Sequence, residues 1–302
     1  MPNYTALTAR LDALQIAWKI DEPLAGHCTF KIGGPAAVYV QPTTEEQLCA
    51  AITLCKELNH RYYLLGNGSN VLFADGGYNG VVIDLSCGEK TVQVTEDGRV
   101  TAPAGAQLSR VCLAALEANL TGLEFAYGIP GTVGGAVYMN AGAYGGEIVD
   151  VLESVRVLTH NGEIETRPAS ALDLSYRHSI FEETGECILS AVFRLVPGDA
   201  ESIRAKMDDL MGRRRDKQPL DKPNAGSTFK RPVGAFAGAL VDQCGLRGFQ
   251  VGGAAVSEKH CGFVVNLGGA TCADVLALCE QVSAIVKEKT GFTLEKEIRV
   301  IE

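Results

Sequence analysis

Apolar and polar positions change rhythm along the chain, and the changes mark its elements. A strand-like AVYVQ (37–41) precedes Thr43-x-x-Glu46, which reads as a capping box, and Leu48, Ala51, Cys55 and Leu58 then recur at helical spacing. The strand-like stretches YYLL (62–65) and VVIDL (81–85) follow, so the chain opens as β-α-β with a further strand, a sheet covered by helix. Residues 91–103 alternate on both sides of Asp97-Gly98 and read as a hairpin. A helix over 107–119 carries Leu108, Val111, Cys112 and Ala115 on one face. Residues 128–146 read as a Gly-rich loop, 152–158 and 187–196 as strands, and Pro197-Gly198-Asp199 as a linker.

Beyond that break the spacing predicts a long polar helix over 201–216 with Ile203, Met207 and Leu210 inward. A loop with Pro219, Pro223 and Pro232 comes next, then a helix over 235–244 stopped by Gly245. GFVVNL (262–267) reads as a buried strand, 272–290 as a helix with Val275, Cys279, Val282 and Val286 on one stripe and Gly291 at its end, and IRVI (298–301) as a last strand. There is no internal repeat and no low-complexity segment. The fold class is a multi-domain α+β or α/β protein.

Composition narrows the function. The chain has 302 residues, 46% of them hydrophobic and 21% charged, as expected of a globular protein of one large or two to three smaller domains. A formal net charge of −9 disfavours nucleic acid as a main partner, because phosphate contact needs clustered Lys and Arg. The one basic run, Arg213-Arg214-Arg215, reads as a solvated helix face. The N-terminus reads as neither signal peptide nor anchor, and no apolar run suggests a membrane span, so the cytoplasm is the expected compartment. The ten cysteines are scattered without ligand spacing and read as reduced, mostly buried thiols, with no metal site expected. Cys261, beside His260, is the one weak candidate for a reactive thiol.

Two segments have the composition of phosphate-cradling loops. Leu65-Gly66-Asn67-Gly68-Ser69-Asn70 follows a strand directly, so its backbone can turn sharply and bring amides close to a ligand. The second runs from Gly128 through Gly131, Thr132, Gly134 and Gly135 to Asn140-Ala141-Gly142, and its glycines could bare successive amides to a pyrophosphate. Neither is the dinucleotide G-x-G-x-x-G, since Val71 stands where the third Gly belongs, and no P-loop motif exists. Residue types and spacing alone stop at binding of something with a pyrophosphate, and a pair of ordinary turns stays open.

The pairing of LGNGSN (65–70) with GIPGTVGGAVYMNAGAYGGE (128–147) closely resembles the UDP-N-acetylenolpyruvoylglucosamine reductase family. TFKIGGPA (29–36), Tyr176-Arg177-His178-Ser179-Ile180-Phe181, Asn224-Ala225-Gly226-Ser227-Thr228-Phe229-Lys230 and Leu294-Glu295-Lys296-Glu297 resemble four further motifs of that family, in order, over about residues 27–301. The resemblance implies a vanillyl-alcohol-oxidase-type (PCMH-type) FAD-binding domain in two lobes, expected at 1–197 (lobes 1–88 and 89–197). A smaller α+β substrate domain is expected at 200–292, with the tail 293–302 returning to the active site. It implies non-covalent FAD, NADPH as electron donor, and reduction of the enolpyruvyl double bond of UDP-N-acetylglucosamine-enolpyruvate for peptidoglycan synthesis. The expected flavin contacts are Gly66, Asn67, Gly68, Ser69, Asn70, Gly128, Gly131, Thr132, Gly134, Gly135, Ala141 and Gly142. The expected catalytic residues are Arg177, Ser227 and Glu297. Tyr176, Lys217, Lys230 and Arg231 are expected on the substrate side, where Arg231 departs from the Asn of first-type members. The short span 187–199 resembles the second, smaller type of the family. Lys259 and Asn266 lie in a family-like stretch without an assigned role, and His27 reads as an ordinary loop residue rather than a covalent flavin anchor.

The implied roles suit the residues. Hydride addition at C3 builds negative charge at C2 and its carboxylate; Arg177 supplies a planar cationic fork there, Glu297 assists if protonated, and Ser227 protonates C2. Two competing readings remain at this point: another flavin oxidoreductase on the same fold, and a non-catalytic UDP-sugar-binding protein.

Overall fold

The computed structural model describes residues 3–302. It divides into two compact units, one of residues 3–19, 38–67 and 80–214, the other of 20–37, 68–79 and 215–302. These units are interleaved along the chain.

In chain order, helix α1 (Thr5–Ala13) is followed by strand β1 (Ala17–Pro23), then β2 (Pro35–Gln41), helix α2 (Glu45–Glu57), β3 (Tyr62–Leu65), the short β4 (Val71–Phe73), which lies in the second unit, and β5 (Tyr78–Asp84). The sheet order is β1-β2-β5-β3, with β3 and β5 parallel. Val38, Val40, Val81 and Ile83 of this sheet form one core with Leu7 and Leu11 of α1 and Ile52 and Cys55 of α2. The helix starts one residue later than the spacing suggested. Thr44, not Thr43, is the N-cap, accepting from the Gln47 backbone N–H, while the Gln47 side chain takes the Thr43 N–H and hydroxyl. The amide taken by the cap shifts with it, from that of Glu46 to that of Gln47, and Gln47 takes the Thr43 N–H in place of Glu46.

The remainder of this unit is built on a five-stranded sheet. Its strands are β6 (Gln93–Val94), β7 (Arg99–Pro103), β11 (Leu152–Leu158), β12 (Ile164–Pro168) and β13 (Cys187–Arg194), ordered β12-β11-β13-β7-β6 and antiparallel throughout. Between them lie α3 (Leu108–Glu117), β8 (Leu120–Thr121), α4 (Val133–Tyr138), the paired β9 (Gly142–Ala143) and β10 (Gly146–Glu147), and α5 (Phe181–Thr184). The Gly-rich stretch is therefore not all loop. Six of its residues are helical, with Val133, Ala136 and Val137 buried in the same core as Val111, Cys112 and Phe193.

The expected linker at 197–199 is also tied down. Val196–Pro197, as β14, pairs with β8, and Asp199 accepts from the Ser202 N–H at 2.8 Å, starting α6 (Ala200–Lys217). Ile203 and Met207 of α6 join the core of the five-stranded sheet, which is why the first unit extends to Arg214. Leu210 is only partly buried.

Glu124 holds the turn beneath α6. It is buried, and burial opposes its charge, but the Thr121 hydroxyl, the Gly122 backbone N–H and Lys206 outweigh that and keep its carboxyl below the usual range. A depressed folded pKa adds stability above the unfolded value, 4.5, and that stability disappears as pH falls through the folded value. Glu124→Gln is expected to cost about 1–3 kcal/mol at pH 7. In urea unfolding of the two proteins, the gap should shrink as the pH drops below that unfolded value; a gap constant with pH would refute the assignment.

The second unit contains a four-stranded antiparallel sheet of β15 (Asn224–Ser227), β16 (Gln250–Val251), β17 (Ala254–Val256) and β18 (Phe263–Asn266) in the order β15-β18-β17-β16. Helix α7 (Ala237–Gln243) ends before Gly245, whose φ of 76° makes it the C-terminal stop that the sequence indicated. Helix α8 (Cys272–Thr290) has the expected stripe buried and ends at Gly291. The last strand, β19 (Arg299–Ile301), lies parallel to β4. Asp75, three residues along from Leu72, accepts the Cys272 and Ala273 N–H groups at 2.7 and 3.0 Å, so residues 68–79 cap α8 and belong with the C-terminal part of the chain.

Candidate active site

In the first unit, the loop after β3 meets the loop before α4. The Asn67 side chain donates to the Pro130 carbonyl at 2.6 Å. Gly66 is required by proximity: a Cβ there would lie 2.4 Å from the Thr132 hydroxyl oxygen, and Thr132 is itself buried as the N-cap of α4, accepting from the Gly135 N–H. In the second unit, Gly68 has φ 61° and its Cβ would lie 2.3 Å from the His27 carbonyl oxygen, while its own carbonyl takes the Thr29 N–H.

The backbone N–H groups of Gly66, Asn67, Gly68, Ser69, Gly128, Gly131 and Thr132 have no acceptor among the described residues. Four of them are consecutive, and such a run is a donor set suited to the oxygens of a pyrophosphate. By contrast, the Gly134 N–H is bound to the Ala104 carbonyl, that of Gly135 to the Thr132 hydroxyl and that of Ala141 to the Ala136 carbonyl. Gly134 and Gly142 serve close packing, since Cβ atoms there would meet Ala104 at 2.9 Å and Glu147 at 2.8 Å.

Arg177 is built onto the same unit by the rest of its motif. Ser175 and His178 exchange backbone hydrogen bonds, leaving Tyr176 and Arg177 at the tip of a tight turn. Arg177 has φ 57°, an uncommon conformation for a side-chain-bearing residue, and one of the kind that clusters at functional sites. Below the tip, the buried Ser179 hydroxyl donates to the Tyr138 carbonyl at 2.7 Å and Phe181 is fully buried. Asn140, also fully buried, donates to the Ser175 carbonyl and to Glu147 and accepts from Val149. The buried polar residues Asn140 and Ser179 of the two motifs thus tie them together, and Arg177 and Tyr176 are presented. The Arg177 guanidinium lies 5.0 Å from the Tyr176 ring centroid and donates to the Gly142 carbonyl at 3.3 Å. Beside it, hydrogen bonding to Glu182, and secondarily the charges of Glu182 and Asp173, raises the pKa of His178.

Ser227 and Glu297 are brought together in the second unit. The Glu297 N–H donates to the Thr228 carbonyl at 2.8 Å, the Lys230 N–H to the Glu295 carbonyl at 2.8 Å, and Phe229 and Lys296 form a bridge. On its other side, Asn70 holds this tail: its side chain donates to the Glu297 carbonyl at 3.3 Å and its carbonyl accepts the Arg299 N–H. The Ser227 hydroxyl has no partner among the described residues and is partly exposed. Of the expected substrate residues in this unit, Lys217 is exposed, Lys230 lies 3.9 Å from Glu295, and the Arg231 guanidinium sits 4.6 Å over the Phe236 ring.

Several positions read differently from the expectation. Arg213 and Arg215 are exposed, but Arg214 turns inward, with its Nη1 shut off from solvent. A Cβ on Gly128 would lie 3.1 Å from both its Cδ and Nη1. Burial lowers the Arg214 pKa, offset in part by Tyr144, and it remains a cation at neutral pH. The signal was present: residue 214 falls on the stripe of Ile203 and Met207, since 207 and 214 are two helical turns apart. His27 closes a short 3-10 turn, Leu24–His27, and pairs with Glu22 at 2.8 Å. Asn266 is structural, donating to the Phe30 carbonyl and accepting from Gly268 and Ala270, and Lys259 donates to the Arg215 carbonyl. The Cys261 thiol is pushed up to about 11 by burial and by Asp242, so it is not a ready nucleophile. Cys49 and Cys87 are only partly buried, unlike the other eight.

Comparison with known proteins is consistent across the chain. Residues 36–167 match the family model described as FAD binding domain, and residues 218–301 match that described as UDP-N-acetylenolpyruvoylglucosamine reductase, C-terminal domain. The chain is 50% identical over 283 residues to the UDP-N-acetylenolpyruvoylglucosamine reductase of Clostridium perfringens (strain SM101 / Type A), covering 93% of this chain and 92% of that one. It is 51% identical over 284 residues to the enzyme of the same name from Lachnoclostridium phytofermentans, with 93% and 92% covered. Among solved structures, UDP-N-acetylenolpyruvylglucosamine reductase from Thermus caldophilus superposes with a TM-score of 0.79 at 33% identity, covering 95% of this chain and 99% of that chain. An alkyldihydroxyacetonephosphate synthase, at 16% identity and a TM-score of 0.50 over 65% of this chain, shares the fold.

Proposed function

From the premise that the chain belongs to the UDP-N-acetylenolpyruvoylglucosamine reductase family, we propose that Arg177, Ser227 and Glu297 carry its chemistry and that the two loops hold its flavin. The protein is an FAD-dependent oxidoreductase that reduces the enolpyruvyl group of UDP-N-acetylglucosamine-enolpyruvate with electrons from NADPH, in peptidoglycan precursor synthesis. The observation that carries the site assignment is the run of amides at Gly66–Ser69 without protein acceptors, adjoining Asn70, whose side chain holds Glu297.

When bound, FAD would supply the hydride chemistry between NADPH and C3 of the enolpyruvyl double bond. The chain supplies the rest. The amides of Gly66, Asn67, Gly68 and Ser69, with Gly128, Gly131 and Thr132, would hold its pyrophosphate, while Asn70, Gly134, Gly135, Ala141 and Gly142 would shape the cradle. Arg214 adds a desolvated cation beside Gly128, which favours negative charge on whatever that loop holds. Arg177 pairs with the substrate carboxylate as electron density moves into it from C2, its guanidinium held meanwhile against the Tyr176 ring and the Gly142 carbonyl. The Ser227 hydroxyl, spared from protein hydrogen bonds, gives its proton to C2, and Glu297 assists by hydrogen bonding as charge develops. Tyr176, Lys217, Lys230 and Arg231 line the approach of the UDP-sugar. Residues 1–197 serve as the FAD-binding domain and 200–292 as the substrate domain. The enzyme works in the cytoplasm on small-molecule substrates; no described helix is long and apolar enough to cross a membrane.

The test is spectral. The purified protein should carry a non-covalent yellow flavin that bleaches with NADPH under anaerobic conditions and regains its colour only on addition of the UDP-enolpyruvyl sugar. A colourless protein would defeat the flavin assignment. Recovery with oxygen and hydrogen peroxide release, but not with the sugar, would point to an oxidase on the same fold.

A further inference from the structure

We propose that the hydroxyl of Thr228 is a positioning residue for the proton-transfer half of the reaction, fixing Ser227 relative to Glu297 through a β-bulge. The proposal rests on the assignment of Ser227 as proton donor made above.

The bulge is visible in the register of β15 on β18. Asn224 faces Val265 and Ser227 faces Phe263, so three steps on one strand are set against two on the other. The extra residue lies at Ala225–Gly226, with Gly226 at φ 75° and its N–H taken by the Asn224 side chain. Such a bulge re-aims the side chain that follows it, here Ser227. It also leaves the N–H of Val264, a buried strand residue, without a ladder partner on β15. The Thr228 hydroxyl takes that N–H at 2.9 Å.

Thr228 is 1% exposed, and its three polar positions bind two different segments, β18 with the residue before it and the C-terminal tail. Its N–H donates to Gly262 at 2.8 Å, its carbonyl accepts from Glu297 at 2.8 Å, and its hydroxyl accepts from Val264. One residue therefore joins the strand behind Ser227 to the tail that carries Glu297. Only the hydroxyl can be removed by substitution. Without it, the Val264 N–H is buried with no acceptor, and the strain is relieved by sliding β15 toward a regular register. A one-residue slip turns successive side chains to opposite faces, so Ser227 would lose its aim first.

The experiment compares Thr228→Val, which keeps shape and removes the acceptor, with Thr228→Ser, which restores it, in the flavin-loaded enzyme. Stopped-flow absorbance follows each half-reaction. For Thr228→Val, sugar-dependent reoxidation is expected to slow by about 10- to 100-fold, as for a displacement of about 1 Å at a reacting group. Bleaching by NADPH should stay near wild type, and the solvent deuterium isotope effect on reoxidation should rise as proton delivery becomes limiting. Thr228→Ser should recover most of the rate. Wild-type reoxidation with an unchanged isotope effect in Thr228→Val would overturn the proposal, as would equal slowing of both half-reactions unrescued by serine. If the valine variant does not fold, Thr228→Cys, whose sulfur is a weak acceptor, carries the same comparison with the same two outcomes. Ser227→Ala measured alongside separates the two ideas. Normal reoxidation there defeats the serine assignment itself, whereas loss there with normal reoxidation in Thr228→Val defeats only the role of Thr228.

Discussion

Ser227→Ala is expected to lower the rate of sugar-dependent flavin reoxidation by about 10²- to 10⁴-fold, the span usually attributable to a positioned acid. The same variant should bleach with NADPH as fast as the wild type, because the reductive half needs no proton at C2. Its fold should also be preserved. The Ser227 hydroxyl makes no hydrogen bond within the protein among the described residues, so removing it leaves no buried group unsatisfied. The backbone on either side is held by Phe263, Gly262 and Glu297 regardless of the side chain. Anaerobic stopped-flow absorbance reads both halves in one sample. Reoxidation within a few-fold of wild type would remove Ser227 from the mechanism and shift the search to Glu297. A comparable drop in both half-reactions would mean that the alanine disturbs flavin placement instead.

How much of this was legible beforehand differs between elements, for physical reasons. The long helix α8 was readable end to end because its apolar stripe and its stop, Gly291, are local signals. The hairpin at Asp97-Gly98 was readable for the same reason. The Gly-rich stretch hid helix α4, since Gly134 and Gly135 lower helix propensity and the helix exists through the burial of Val133 and Val137 and the cap by Thr132. The linker reading at 197–199 failed because chain-breaking residues mark a turn without saying whether it is tied to anything; here β14 pairs with β8 and Asp199 caps α6. Arg214 was lost among three arginines when composition was read without phase. Among the catalytic candidates, Ser227 and Glu297 are separated by seventy positions in sequence. Nothing local in either segment announces the Glu297–Thr228 hydrogen bond; the motif resemblance nominated both residues, and the backbone pairing is what brings them together. The motif around Arg177 was named by resemblance, yet only the structure separates its anchors, Ser179 and Phe181, from the presented pair.

Gly68→Ala is expected to yield protein largely without flavin. Two costs coincide there. The φ of 61° is disfavoured for any residue with a Cβ, by roughly 1–2 kcal/mol. The Cβ would also fall 2.3 Å from the His27 carbonyl oxygen and 2.7 Å from the Cys28 Cα, both backbone atoms that cannot rotate away. The loop must therefore move, and the amides of Asn67, Gly68 and Ser69 move with it. Loss of two hydrogen bonds to a charged phosphate is worth about 3–6 kcal/mol, or roughly 10²- to 10⁴-fold in flavin affinity. Gly162→Ala is the matched control: it has φ 83° but nothing within 4 Å of its Cβ, so it carries backbone strain alone. It should lower unfolding stability by about 1 kcal/mol and keep its flavin. Flavin content per chain after purification, and the affinity of the stripped proteins for added FAD, compare the two. If Gly68→Ala binds FAD as tightly as Gly162→Ala, the amide run at Gly66–Ser69 is not the pyrophosphate cradle, and the amides of Gly128, Gly131 and Thr132 would have to hold the cofactor without it.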